Sequence, residues 1–179
     1  MSSRSKFFVA SALTLVAVCS IAREQLNMDA IFFSSDGNPK SEVHRASERA
    51  RARLDDVLAK MKLPPPSISS FSLLIDIGES QAKRYFDGQI ATKRYFWVSN
   101  FEGSGDKFVG EINIQLQMNA QSRRVQVAFS RAQVVDWAYF DTETQTRFGN
   151  FIECALLSKA SPAQFETERK RYGLSCNET

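Results

Sequence analysis

One histidine, His44, is all that the 179 residues contain. A zinc site generally wants three or four protein ligands, and a Ser-His-Asp or Cys-His nucleophile is activated through an imidazole. Either chemistry would have to pass through His44, which sits in a basic, helix-like stretch with Glu48 four residues on and reads as a surface residue. A phosphate-cradling glycine loop is missing too. GSGDK, Gly103 to Lys107, lacks the spacing and the strand-to-helix setting of such a loop and reads as a hairpin tip. The chief apolar run, FFVASALTLVAV from Phe7 to Val18, is shorter than the about 20 residues that cross a bilayer. No cofactor, no metal and no transmembrane helix in the mature chain are expected.

That short run has another reading. Arg4 and Lys6 precede it and the small residues Ser20 and Ala22 follow, the layout of a secretory signal peptide over residues 1–22. An alternative makes Cys19 the lipid-modified residue of a membrane-anchored lipoprotein, although Val18 is larger than lipoprotein cleavage favours. Either way the protein is exported, and the periplasm is the expected location. The leader removes two bases from a chain of 23 Lys and Arg against 20 Asp and Glu. What is left is nearly neutral, so basicity points to no nucleic-acid partner, and RASERARAR, Arg45 to Arg53, reads as a solvated helix face. Three cysteines become two, and an even pair in an exported chain, Cys154 and Cys176, reads as a disulfide.

Residues 23–179 are long enough for one domain with a core of its own. A brief apolar run, Ala30 to Phe33, has the character of an edge strand. Asn38 and Pro39 have the chemistry of a helix start, and Val43, Ala46, Ala50, Leu54, Val57, Leu58 and Met61 step by three and four along one stripe. Pro64, Pro65 and Pro66 end that helix. Thereafter the period is two: FSLLIDI from Phe71, KRYFWVS from Lys93, FVGEINIQLQM from Phe108, VQVAF from Val125 and VVDWAYF from Val134 are strands. FGNFIECALL runs a last strand into a short helix, and Ser161 with Pro162 starts a C-terminal helix that ends near Lys170 and Arg171, where its dipole favours cations. The fold class is α+β: an N-terminal amphipathic helix on an antiparallel, meander-like sheet, with short C-terminal helices.

Asp76, Glu111, Asp136, Asp141 and Glu153 are scattered, and nothing in the sequence sets two of them at a catalytic separation; no catalytic residue is assigned. The candidate binding residues are the polar sheet face of Asn113, Gln115 and Gln117, together with Trp97, Asp136 and Asn150. Alternation sends Asp136 and Trp137 to opposite faces. Trp137 then packs on the helix side, while Asp136 accepts hydrogen bonds from backbone or from Asn150 that fix the turn beside Gly149, which supplies a positive φ or a close backbone approach.

In order, YFWV, FVGEINI, VVDWAY and FGNFIECALL resemble the YegJ-like family of small bacterial proteins, which carry a domain of unknown function. Phe96, Trp97 and Val98 carry the first motif, Phe108 and Gly110 the second, and Asp136, Trp137 and Tyr139 the third. Gly149, Asn150, Phe151, Ala155, Leu156 and Leu157 carry the fourth. The likeness covers about residues 29–157 and includes the amphipathic helix, leaving a C-terminal helix and tail over 158–179. It departs where the family's Asn-Asp-Pro turn is replaced by NIQLQMNAQ, Asn113 to Gln121, and where Ile152 stands for the usual Thr. The resemblance implies a fold and often an exported location, and supplies no activity. The expected function is a non-enzymatic cell-envelope module that binds another protein. A small carboxylate-dependent periplasmic hydrolase and a toxin-neutralising, immunity-type protein are the alternatives.

Overall fold

A computed structural model of the chain describes residues 41–85, 94–115 and 122–177. The leader, Cys19, the expected edge strand at Ala30 to Phe33 and the helix start at Asn38 and Pro39 lie outside the described residues. The first helix, α1 (Glu42–Ala52), has Ser41 as its N-cap, with the Ser41 side chain accepting from the His44 amide. The stripe read from sequence is not one continuous helix. At Arg53 the backbone departs from helical values, and α2 (Leu54–Lys62) starts anew. The two helices still share one buried face, Val43, Ala46, Ala50, Leu54 and Val57. His44 stands outside it, 3.4 Å from Glu48.

Six strands form one antiparallel sheet, ordered β4-β3-β2-β1-β5-β6: β1 (Ile68–Asp76), β2 (Tyr95–Ser104), β3 (Lys107–Gln115), β4 (Ser122–Ser130), β5 (Val134–Asp141) and β6 (Thr146–Gly149). A short helix not foreseen from sequence, α3 (Gly78–Tyr85), follows β1. The C-terminal pair is α4 (Phe151–Leu157) and α5 (Pro162–Tyr172), the latter capped by Ser161 and begun by Pro162 as the sequence indicates.

The link from β4 to β5 decides the shape of the sheet. Only the single 3-10 turn Arg131–Gln133 joins them, although three strands lie between. Four residues reach about 14 Å at most, whereas β4 and β5 of a flat sheet would be about 19 Å apart. The sheet must therefore curl, and register shifts in the β2–β3 and β1–β5 pairings supply bends. The curl wraps the helices. Arg131 at the link pairs with Asp55 of α2 at 2.7 Å, and Arg51 of α1 donates to the Val134 carbonyl at 2.8 Å.

Inside the curl, Leu73, Val98, Ile112 and Trp137 meet α1 through one continuous core. The Trp137 indole N–H donates to the Ala50 carbonyl at 2.9 Å, so the tryptophan packs on the helix side as its alternation predicts. Val127 and Phe129 are buried and Val125 partly so, again as alternation predicts. β5 is buried on both faces. From Val134 to Tyr139 every residue is buried, so this strand has no wet face. It runs centrally between β1 and β6 with α1 on one side, and α4 closes over its start.

Cys154 of α4 and Cys176 of the tail form a disulfide with Cα atoms 5.5 Å apart. The 22-residue loop corresponds to about 3 kcal/mol of chain-entropy stabilisation. It holds a tail that pairs with β6: Arg147 N–H donates to the Gly173 carbonyl and Ser175 N–H to the Arg147 carbonyl, at 2.7 and 2.9 Å. The free edge of that short strand is thereby covered.

Candidate functional site

Of the five carboxylates singled out in the sequence, four are committed to the fold. Asp76 pairs with Arg94 and accepts from the Gly78 amide. Glu111 accepts from Asn100 and lies 3.9 Å from Arg124. Asp141 closes the β5–β6 turn by accepting from the Glu143 and Thr144 amides.

Asp136 is the most enclosed, at 1% exposure. Its Oδ1 accepts from the Trp137 and Phe151 amides at 2.8 and 3.2 Å, and its Oδ2 from the Ile152 amide at 3.0 Å. Phe151 and Ile152 are the first two residues of α4, whose N-terminal amides have no partner within the helix. Asn150, the nominal N-cap, makes no capping bond. Asp136 replaces it from a neighbouring strand, placing two carboxyl oxygens at the positive helix end. Backbone partners are what the sequence suggested; a bond to Asn150 is not made. Burial pushes the Asp136 carboxyl up to about 7, with the Glu153 charge adding to the rise, while the three amides oppose it.

Glu153 differs from the other four. It is half-buried and lines a cleft of about 390 Å³ beside α4, on the sheet face away from α1, with Ser70, Ser72, Trp97, Arg147 and Asn150. No hydrogen bond or ion pair of its carboxylate is made among the described residues. Burial raises its pKa, and the Arg147 charge partly counters this. The hydroxyls of Ser70 and Ser72, the Arg147 guanidinium and the Trp97 indole N–H have no hydrogen-bond partner there either. Ser70 lies in the left-handed region at φ 55°, within the register shift between Ser69 and Ser72 that turns this part of β1 outward.

Trp97 is 37% exposed, whereas Phe96 and Val98 beside it are buried. Strand register extends its face across the sheet. Ser99 opposes Glu111, Glu111 opposes Gln126, and Asn113 opposes Arg124, so these side chains and Trp97 share the outer surface. Asn113 is exposed on it. Gln117 lies outside the described residues, as does the side chain of Gln115. The structure thus places Trp97 and Asn113 on the outer face, Asn150 buried at the cleft beside Trp97, and Asp136 enclosed behind it. Sequence reasoning missed Arg147 and the serines, and gave Glu153 no role; its one visible signal was a charge inside the apolar run FIECALL. Among the described residues no group of three or more His, Cys, Asp or Glu side chains is placed to hold a metal, and no helix is long and apolar enough to cross a membrane.

Compared with protein-family models, with curated proteins and with solved structures, the chain finds no significant match in any of the three.

Proposed function

We propose that this chain is a non-enzymatic binding module exported to the cell envelope, and that it recognises another protein with the outer face of its sheet. The observation that carries the reading is Trp97, 37% exposed among the polar side chains of the outer sheet face. A wet antiparallel face is ordinary; a large aromatic left open at its centre has a cost in water that a partner would remove. Glu111, Asn113, Arg124 and Gln126 extend the surface toward β4 with both charge signs and two amides, a composition that suits a protein rim. Membership of the YegJ-like family belongs to the same proposal, supported by the ordered motifs around Trp97, Gly110, Asp136 and Gly149.

The carboxylate hydrolase has one observation in its favour, the unpaired Glu153 in a cleft. It needs a second carboxylate, and Asp136, the nearest candidate, is sealed under α4 with both oxygens on backbone amides. Affinity capture tests the binding reading: mature protein, mild crosslinking in bacterial periplasm, and mass spectrometry of what is retained. A partner held by the native chain should be lost from the double variant Asn113→Lys, Gln126→Lys, whose exposed positions leave the fold intact. Equal retention by both would remove this face from the proposal.

A further inference from the structure

We infer that the cleft beside Trp97 is a saccharide subsite, built to hold a neutral hydroxylated ring on the indole with Glu153, Arg147 and the hydroxyls of Ser70 and Ser72 around its hydroxyls. The inference goes beyond the protein-partner reading and shares only Trp97 with it: the other groups of the cleft lie toward β5 and β6, and the polar ladder lies toward β4.

Three features select this ligand class. The first is the pairing of an aromatic plane with polar groups that have no protein partner. A pyranose has an apolar C–H face and a rim of hydroxyls, so Trp97 can cover the one while the Glu153 carboxylate accepts from the other and Arg147 donates to it. The hydroxyls of Ser70 and Ser72, which line the same cleft, both donate and accept, whereas Asn150 is buried there with its amide on the Phe148 carbonyl.

The second is charge. Glu153 and Arg147 lie close enough to affect one another yet form no ion pair among the described residues. A cationic ligand would meet Arg147 and an anionic one Glu153. A neutral ligand with donors and acceptors satisfies both without leaving either charge desolvated and unpaired.

The third is rigidity. Arg147 is held through its backbone by Gly173 and Ser175 of the tail. Glu153 adjoins Cys154, whose disulfide to Cys176 fastens that same tail to α4. Both charged groups therefore stand on one cross-linked frame, which lowers the ordering cost of binding. At about 390 Å³ the cleft also falls within the size range of small-ligand sites.

The test is a titration of the mature protein, disulfide intact, with chitotriose, cellotriose and maltotriose, followed by the indole N–H resonance of Trp97 and by tryptophan fluorescence. N-acetyl-lysinamide and N-acetyl-glutamate serve as charged probes of similar reach. The expected result is a saturable shift of the Trp97 resonance with at least one trisaccharide, weakened tenfold or more in Trp97→Ala by fluorescence-independent calorimetry and in Glu153→Gln by either method. The Asn113→Lys, Gln126→Lys variant should bind the sugar like the native chain, which separates this result from the capture experiment. No saturable shift with any sugar, saturation by a charged probe alone, or sugar binding indifferent to Trp97→Ala and Glu153→Gln would each overturn the inference.

Discussion

Replacing Asp136 with alanine should lower the stability of the protein by about 3–5 kcal/mol, because three buried amides lose their acceptor at once. Two of them, on Phe151 and Ile152, belong to the first turn of α4, and no other side chain caps it. A domain of this kind has roughly 5–15 kcal/mol in all, so the variant should melt far below the native chain. Asp136→Asn should cost less. Its amide oxygen can keep the bonds from the Trp137 and Phe151 amides, but its NH2 then faces the Ile152 amide, donor against donor; about 1–3 kcal/mol is the expected loss.

The same residue sets a pH dependence. Burial pushes its carboxyl up to about 7 in the folded chain, from 3.8 for a free aspartate. The folded state thus holds a proton that the unfolded state has already released between those values. Stability from this group is complete below about pH 4 and is lost as pH rises through 7, by up to about 4 kcal/mol. Glu153, raised by burial, acts in the same direction. Asp55 and Glu166, lowered by hydrogen bonds from Arg131 and Arg169, oppose it but are exposed and count for little. Thermal unfolding should show a higher melting temperature at pH 5 than at pH 7.5, and the difference should largely vanish in Asp136→Asn. A native chain that loses stability on going from pH 7.5 to pH 5 would contradict this assignment.

Gly149→Ala is the second large effect. Gly149 sits at φ +82°, and a Cβ there would run into the Trp137 carbonyl and lie 2.8 Å from Cζ3 of its ring. Trp137 cannot retreat, because its carbonyl accepts from Asn150 and its indole is bonded to Ala50. Left-handed backbone costs alanine about 1–2 kcal/mol, and the overlap in a packed core adds about 1–3 kcal/mol. The melting temperature should fall by roughly 4–20 °C, at about 2–4 °C per kcal/mol for a chain of this length. A shift within about 2 °C would mean that β6 can move away from β5 without penalty.

Much of this frame was legible in the sequence because it rests on local chemistry. Alternation in VQVAF and the Ser161-Pro162 start depend on nearest neighbours, and both stand in the structure. Gly149 also declared itself, next to an apolar helix and opposite a tryptophan strand. What was not legible depends on which strands become neighbours. The insertion of β5 beside β1 buries both its faces, which no period-two pattern with Asp136 in it announces. The break at Arg53 leaves the apolar stripe in phase, so the stripe could not reveal it. The cleft needs Ser70 from β1, Trp97 from β2, Arg147 from β6 and Glu153 from α4, and residues so far apart in the chain meet only after the sheet has formed.

Trp97 and Asp136 divide the work: Trp97 faces outward, where the proposed partner would sit, and Asp136 holds α4 to the sheet. The most direct measurement is periplasmic capture with Trp97→Ala, run beside its thermal unfolding. The account predicts a melting temperature within about 2 °C of native, as for an exposed site, together with loss of the captured protein. A large drop in melting temperature with the partner still retained would contradict it, making Trp97 part of the fold and leaving the outer face without a function.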